Sequence, residues 1–232
     1  MEEDFWNHLE ELRKRLILSI CFFLFSSVFF YPFSGKFIKL FTDLVGKTYF
    51  FAPQEALFIR IKFSFMAGFV IALPLILHQL YLFVVPALTK EERRFAGPLL
   101  FFLIVFFYGG LFLGYFIFLP YILKILLSFQ TDFMVPLISI TKLFSFVFWV
   151  LAGFGISFEM PVFFFVLSKL GVITPLMLFH NWRFGILFIL VFAAIITPTV
   201  DVVTMVFVAF PLFFLYFISI IFSFLGSRSK NK

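Results

Sequence analysis

Long apolar stretches follow one another along this chain, at 16–33, 63–88, 95–123, 143–168, 184–200 and 202–227. A bilayer core is crossed by about 20 apolar residues in a helix, and most of these stretches reach that length. The fourth carries one charge, Glu159. A charge in such a segment is costly and turns toward a bundle interior, a cavity or a partner. The chain is 63% hydrophobic and only 13% charged, where soluble domains average about 45–50% apolar and about 25% charged. This much apolar surface has no soluble core to hide in. The predicted fold class is an all-α polytopic membrane protein with six transmembrane helices, as a single domain over 1–232. The predicted spans are 16–33, 58–84, 95–119, 143–168, 183–197 and 202–222.

Several chemistries lack their residues. His8, His78 and His180 are far apart in sequence, and Cys21 is the lone cysteine. No metal-ligand spacing results. There is no phosphate-binding glycine loop, nucleophile elbow or dinucleotide fingerprint. Neither an enzyme activity nor a cofactor is expected, nor a nucleic-acid partner. No small-residue cleavage site follows the first apolar run, so no cleavable signal peptide is expected. The 45 phenylalanines read as lipid-facing and interhelical bulk.

With six spans both termini share a side. That side holds Arg13, Lys14, Arg15, Lys90, Arg93, Arg94, Lys169 and Arg183, with Arg228, Lys230 and Lys232 at the end. The other side holds fewer: Lys36, Lys39, Lys47, Arg60, Lys62, Lys124 and Lys142. The positive-inside rule then puts both termini in the cytoplasm.

Residues 4–15 read as a short amphipathic helix at the cytoplasmic surface that runs into the first span, with Phe5, Leu9, Leu12 and Leu16 on one face. Pro74 should kink the second span. Gly109, Gly110 and Gly114 allow close approach in the third. The segment 120–141, broken by Pro120 and Pro136, is expected to cap the outer surface rather than span. Only the turn Thr197-Pro198-Thr199-Val200-Asp201 separates the last two spans. The fifth is roughly 20 Å long at helical rise, which implies local thinning of the bilayer or a turn held inside it.

Glu159 falls about nine residues before the end of its span, roughly 13 Å deep at helical rise. It is read as a polar contact for a partner helix or translocating chain, with a proton relay as a second functional reading and a structural hydrogen bond to another span as the plainer alternative. Glu11 pairs at i,i+4 with Arg15, a contact worth a few tenths of a kcal/mol, about 0.3–0.5. Glu92 reads as a solvated loop charge. Two surface carboxylates are also the groups that hold paired, forked guanidinium ions. Asp201 reads equally well as an N-cap of the last helix. Phe83 and Pro86 would ordinarily be an interface aromatic and a helix stop, and His8 a surface histidine.

Five motifs stand in order. They are His8-Leu9-Glu10-Glu11-Leu12-Arg13-Lys14-Arg15-Leu16, then Phe83-Val84-Val85-Pro86-Ala87-Leu88 followed by Lys90 and Glu92-Arg93-Arg94, then Phe154-Gly155-Ile156-Ser157-Phe158-Glu159-Met160-Pro161. The last two are Gly171-Val172-Ile173-Thr174 and Thr197-Pro198 followed by Asp201. Together they resemble the TatC family, the core component of twin-arginine protein translocation, over about 5–226. The resemblance implies a concave, cup-like bundle of six spans, short in the fifth and sixth, with both termini cytoplasmic, in the cytoplasmic (inner) membrane. It implies binding of twin-arginine signal peptides of folded cargo, then recruitment of TatA/TatB-type single-span proteins, with the proton-motive force driving transport. It further implies assembly as a homo-oligomer within a larger complex, surrounded by membrane lipid. Glu11 and Glu92 match the family carboxylates of the twin-arginine site, and Arg13, Arg15, Phe83 and Arg94 lie in the same recognition segments. Glu159 matches the buried acidic position of the fourth span, and Asp201 the acidic position before the sixth, where partners contact. Met205 stands where the family often has Gln. A secondary transporter of a small solute, using Glu159, is the alternative. It predicts several polar residues converging at mid-membrane in repeated halves, and this sequence shows one deep carboxylate and no internal repeat.

Overall fold

The computed structural model describes residues 2–130, 137–197 and 202–228. Helices dominate: α1 Glu2–Phe30, α2 Ser34–Thr42, α3 Glu55–Val84, α4 Lys90–Leu113, α5 Leu119–Ser128, α6 Ile140–Ser157, α7 Met160–Leu170, α8 Pro175–His180, α9 Trp182–Ile196 and α10 Val202–Arg228. Among the described residues, five continuous stretches are long and apolar enough to cross a membrane: His8–Thr42, Glu55–Ala87, Glu92–Ser128, Ile140–Leu170 and Val202–Ser227. α9 is apolar but shorter, at 15 residues. The predicted all-α polytopic class therefore stands, with α9 as the short fifth element. α10 differs from the expectation of a short sixth span, because it runs for 27 residues and ends at Arg228.

The chain divides into two compact units. The first comprises residues 1–104 and 138–141, and the second 105–137 and 142–232. In the first, α1 and α3 pack antiparallel, with His8 beside Phe83 at one end and Ser27 against Gly68 further along. A Cβ on Gly68 would stand 2.7 Å from the Cα of Ser27. Small residues let the backbones close to this distance where no hydrophobic force drives helices together. Ser27 and Ser64 satisfy their hydroxyls within their own helices, on the carbonyls of Phe23 and Arg60. α2 is the amphipathic fragment expected in the first outer loop. It lays Phe37 and the buried Phe41 against Phe63 of α3. Two short strands, β1 Thr48–Tyr49 and β2 Ile138–Ser139, pair in parallel.

In the second unit Gly110 and Gly114 of the third span meet Phe154 of α6, and Phe118 stacks on Phe154 at 4.5 Å. α7 and α10 run parallel, joined by the hydroxyls of Ser168 and Ser223 and by Gly226, whose Cβ position lies 2.5 Å from the Phe165 carbonyl. α10 buries one stripe, Val208, Leu212, Leu215, Tyr216, Ser219 and Ser223, and exposes Phe210, Phe214, Phe217 and Ile221 on the other side. Large apolar side chains outside and serines inside are the pattern expected of a helix whose surroundings are hydrocarbon. The phenylalanine excess thus fills the outer faces as predicted.

The amphipathic segment 4–15 runs into the first span as expected, in one helix from Glu2 to Phe30. Two local expectations are corrected. The predicted outer cap is helical through Ser128 and continues α4. A π turn at Gly114–Phe118 absorbs Pro120, with the N–H of Leu119 donating to the Gly114 carbonyl. Proline has no N–H to keep the ordinary ladder going, and a one-residue widening is how such helices pass it. Of the rest of that cap, 131–136 lie outside the described residues, and 138–141 form β2 and the start of α6. Finally, the fourth span is two helices rather than one, with Glu159 at the break.

Candidate functional site

The N-terminal part of α1 turns its polar face inward. His8, Glu11, Arg15 and Ser19 fall at i, i+3, i+7 and i+11, a helical stripe. This stripe, not the leucine stripe, faces α3. Ser19 is buried, while Leu9 and Leu16 are exposed. The His8 ring stacks on Phe83 with centroids 4.3 Å apart and planes 19° from parallel. Arg15 Nη1 donates to the Gln79 carbonyl at 3.4 Å, and Ser19 Oγ donates to the Arg15 carbonyl at 2.9 Å. The amphipathic pattern was legible in the sequence. Its direction was not, because a soluble protein buries the leucines and a helix in hydrocarbon has no reason to.

Glu11 is the centre of this cluster. Arg15 Nη2 donates to its Oε1, and His8 Nδ1 lies 3.8 Å from its Oε2. The predicted i,i+4 pair is therefore present, and Glu11 and Arg15 are both part-exposed. Phe83 is brought beside this carboxylate through His8. Arg13 and Arg94 stand exposed.

Glu92 is not the solvated loop charge that spacing suggested. Its Oε2 accepts from the Thr89 N–H at 2.9 Å and from Thr89 Oγ1 at 2.8 Å, while Thr89 Oγ1 accepts from the Glu92 N–H at 3.4 Å. This is a capping box at the head of α4, satisfying helix donors that would otherwise be orphaned. Thr89-Lys90-Glu91-Glu92 has the Thr-x-x-Glu signature of such a cap, so the signal was in the sequence. The cap fixes the Glu92 carboxylate at the start of α4, three residues after the 3₁₀ turn Val85–Ala87 that closes α3. Phe83 and Glu92 thus flank one short connection. His8, Gln79 and Thr89 are the site residues that the reading from sequence left out or read as bland.

Glu159 lies at the break between α6 and α7. Pro161 lacks the N–H that would reach back to Ser157, so the ladder cannot run through. Instead the Glu159 N–H donates to Ile156 at 3.1 Å, and the Ser157 hydroxyl turns to the Gly153 carbonyl at 2.6 Å. The Glu159 carbonyl resumes the ladder with the Phe163 N–H at 2.9 Å. Its Oε2 is buried with no hydrogen-bond partner among the described residues. The plainer expectation, a hydrogen bond to another span, is not met at that oxygen. Asp201 lies outside the described residues. Met205 is half-buried on the first turn of α10. Among the described residues no group of His, Cys, Asp and Glu is arranged to hold a metal ion.

Three comparisons with known proteins bear on this arrangement. A family model described as Sec-independent protein translocase protein (TatC) matches residues 7–211. The TatC protein of Aquifex aeolicus is 41% identical over 234 residues, covering 97% of this chain and 97% of that protein. The TatC protein of Helicobacter pylori is 36% identical, covering 95% and 87%. A crystal structure of the twin arginine translocase receptor TatC superimposes with a TM-score of 0.82 at 41% identity, covering 95% of this chain and all of that one.

Proposed function

The chain belongs to the TatC family, Sec-independent protein translocase proteins, and from that premise we propose that it is the receptor that binds twin-arginine signal peptides of folded cargo. It is a multi-pass membrane component of a protein translocase, a transport role and not a catalytic one. In the proposed reading both termini face the cytoplasm, in the inner membrane, and the Glu11 and Glu92 ends of their helices meet the arriving peptide.

One observation carries this reading: the Glu11 carboxylate already holds a guanidinium, that of Arg15, beside the His8–Phe83 stack. A carboxylate that binds one forked cation in this setting is built to bind another. The peptide's arginines would take Glu11 and Glu92 by charge-assisted hydrogen bonds, each worth about 1.5–3 kcal/mol. Phe83 would offer an apolar wall to the flanking residues. Arg13, Arg15 and Arg94 belong to the same two recognition segments and would stand beside these carboxylates where the peptide arrives. Single-span partners of the TatA/TatB type would then join the complex, with Glu159 and Asp201 as their polar contacts and the proton-motive force as the energy source. More than one copy of the chain would assemble in it.

The test is binding of a fluorescent twin-arginine signal peptide to the protein in nanodiscs, with a Lys-Lys peptide as control. Lysine keeps the charge and loses the fork. A preference of about tenfold or more for Arg-Arg, reduced by Glu11→Ala or Glu92→Ala, is the expected result. Equal binding of the two peptides would remove direct recognition by this chain.

A further inference from the structure

The Glu11 carboxylate has an occupant of its own. Arg15 lies one helical turn away on a continuous helix, so its guanidinium is always within reach of Glu11 Oε1. We infer that Arg15 is an internal competitor for the twin-arginine site, displaced when a peptide guanidinium arrives. The inference rests on the receptor reading above and adds a built-in threshold to it.

Three features make the exchange feasible. First, it trades like for like, one guanidinium–carboxylate pair for another, so little is lost when Arg15 leaves. Second, Arg15 has another acceptor, since its Nη1 already reaches the Gln79 carbonyl at 3.4 Å. The displaced side chain stays docked on α3 and does not become a stranded cation. Third, Glu11 is not held from one side only. His8 approaches the other oxygen at 3.8 Å and is fixed by its stack on Phe83, so the carboxylate keeps its place while its partner changes.

An internal occupant lowers the apparent affinity of every ligand for Glu11 by the same factor, the fraction of time that the carboxylate is free. A part-exposed pair of this kind holds only weakly, so the factor is about two- to sixfold. It does not alter the ratio between Arg-Arg and Lys-Lys peptides, because both meet the same closed site. That invariance separates a competitor from a residue that touches the peptide.

The experiment measures both peptides on the full chain in nanodiscs, for the wild type, Arg15→Gln, Arg15→Lys, Glu11→Gln and the double variant Glu11→Gln/Arg15→Gln. Arg15→Gln should tighten both peptides by the same factor, about two- to sixfold on the argument above. Arg15→Lys, which keeps the charge without the fork, should give a smaller gain in the same direction. In the Glu11→Gln background the change at Arg15 should have no effect. Weaker binding by Arg15→Gln, or an altered peptide ratio, overturns the inference, because Arg15 then contacts the peptide or holds the site open. A gain with Gln and none with Lys also overturns it, leaving simple relief of repulsion. In those cases a wild-type preference for Arg-Arg that Glu11→Gln abolishes keeps the receptor reading intact. Equal binding of both peptides by the wild type removes the reading and the inference together.

Discussion

Glu11 and Glu159 are the same side chain in opposite circumstances. Glu11 stands part-exposed at a helix end with a guanidinium on one oxygen and an imidazole near the other. Glu159 stands in an apolar span, at a break in the helix, with one oxygen buried and unbonded among the described residues. A buried polar group without a partner costs roughly 1–3 kcal/mol. The first carboxylate has its oxygens engaged or approached by neighbours on its own helix. The second has one oxygen that is buried without a hydrogen-bond partner among the described residues. The two units differ in their seams as well. α1 and α3 close on Gly68 with serine hydroxyls turned to their own helices, while α7 and α10 share the hydroxyls of Ser168 and Ser223 across the interface.

The largest effect expected is at the glycines. Gly226→Leu puts a side chain into the Phe165 carbonyl and Gly68→Leu into the Ser27 backbone. Each should cost about 3 kcal/mol, at the upper end of overpacking, and lower the thermal midpoint of the purified protein. A wild-type midpoint in either variant would mean that its helix pair is not as close as described.

Next is the comparison itself. Glu11→Gln should weaken Arg-Arg peptide binding about tenfold, or ~1.4 kcal/mol, while Glu159→Gln leaves that binding unchanged and reduces transport of a folded cargo. Loss of peptide binding in Glu159→Gln would break the division of labour between the two carboxylates. Thr89→Ala removes the cap that holds Glu92 and should destabilise α4 by about 1 kcal/mol. Peptide affinity should fall with it, more than in Lys90→Ala, which leaves the cap in place. Ser168→Ala should cost about 0.6 kcal/mol, the usual value for a hydrogen bond between membrane helices. The smallest effect carries the sharpest sign. Glu159→Leu should leave the thermal midpoint unchanged or raise it, since among the described residues its buried Oε2 has no hydrogen bond to lose. A clear drop would reveal a partner for that carboxylate.

Much of the site could be read from the chain, but not its state. The i,i+4 spacing of Glu11 and Arg15 announced their pair. The Thr-x-x-Glu run announced the cap on Glu92, yet Glu92 was read as a solvated charge because charge was weighed before the backbone's need for acceptors. The polar stripe of His8, Glu11, Arg15 and Ser19 lies against α3, and the amphipathic spacing alone does not point it there. Periodicity shows that a helix has two faces and says nothing about which one a lipid-embedded neighbour takes. His8 looked bland because its value lies in Phe83, which is far away in sequence.

What the sequence determined by itself is the class of the molecule. Apolar stretches of bilayer length form helices there because the backbone has no other way to satisfy its hydrogen bonds. It also determined where donors are missing, at Pro120 and Pro161 among others, but not which of these sites breaks a helix: the chain passes Pro120 by a π turn and breaks before Pro161. The tertiary structure decided the rest. It alone set which small residues meet, Gly68 with Ser27 and Gly226 with Phe165, since such contacts depend on helix rotation and depth and leave no mark on periodicity. It alone showed that Glu11 has its partners while, among the described residues, an oxygen of Glu159 has none, because partnership is a matter of distance between atoms.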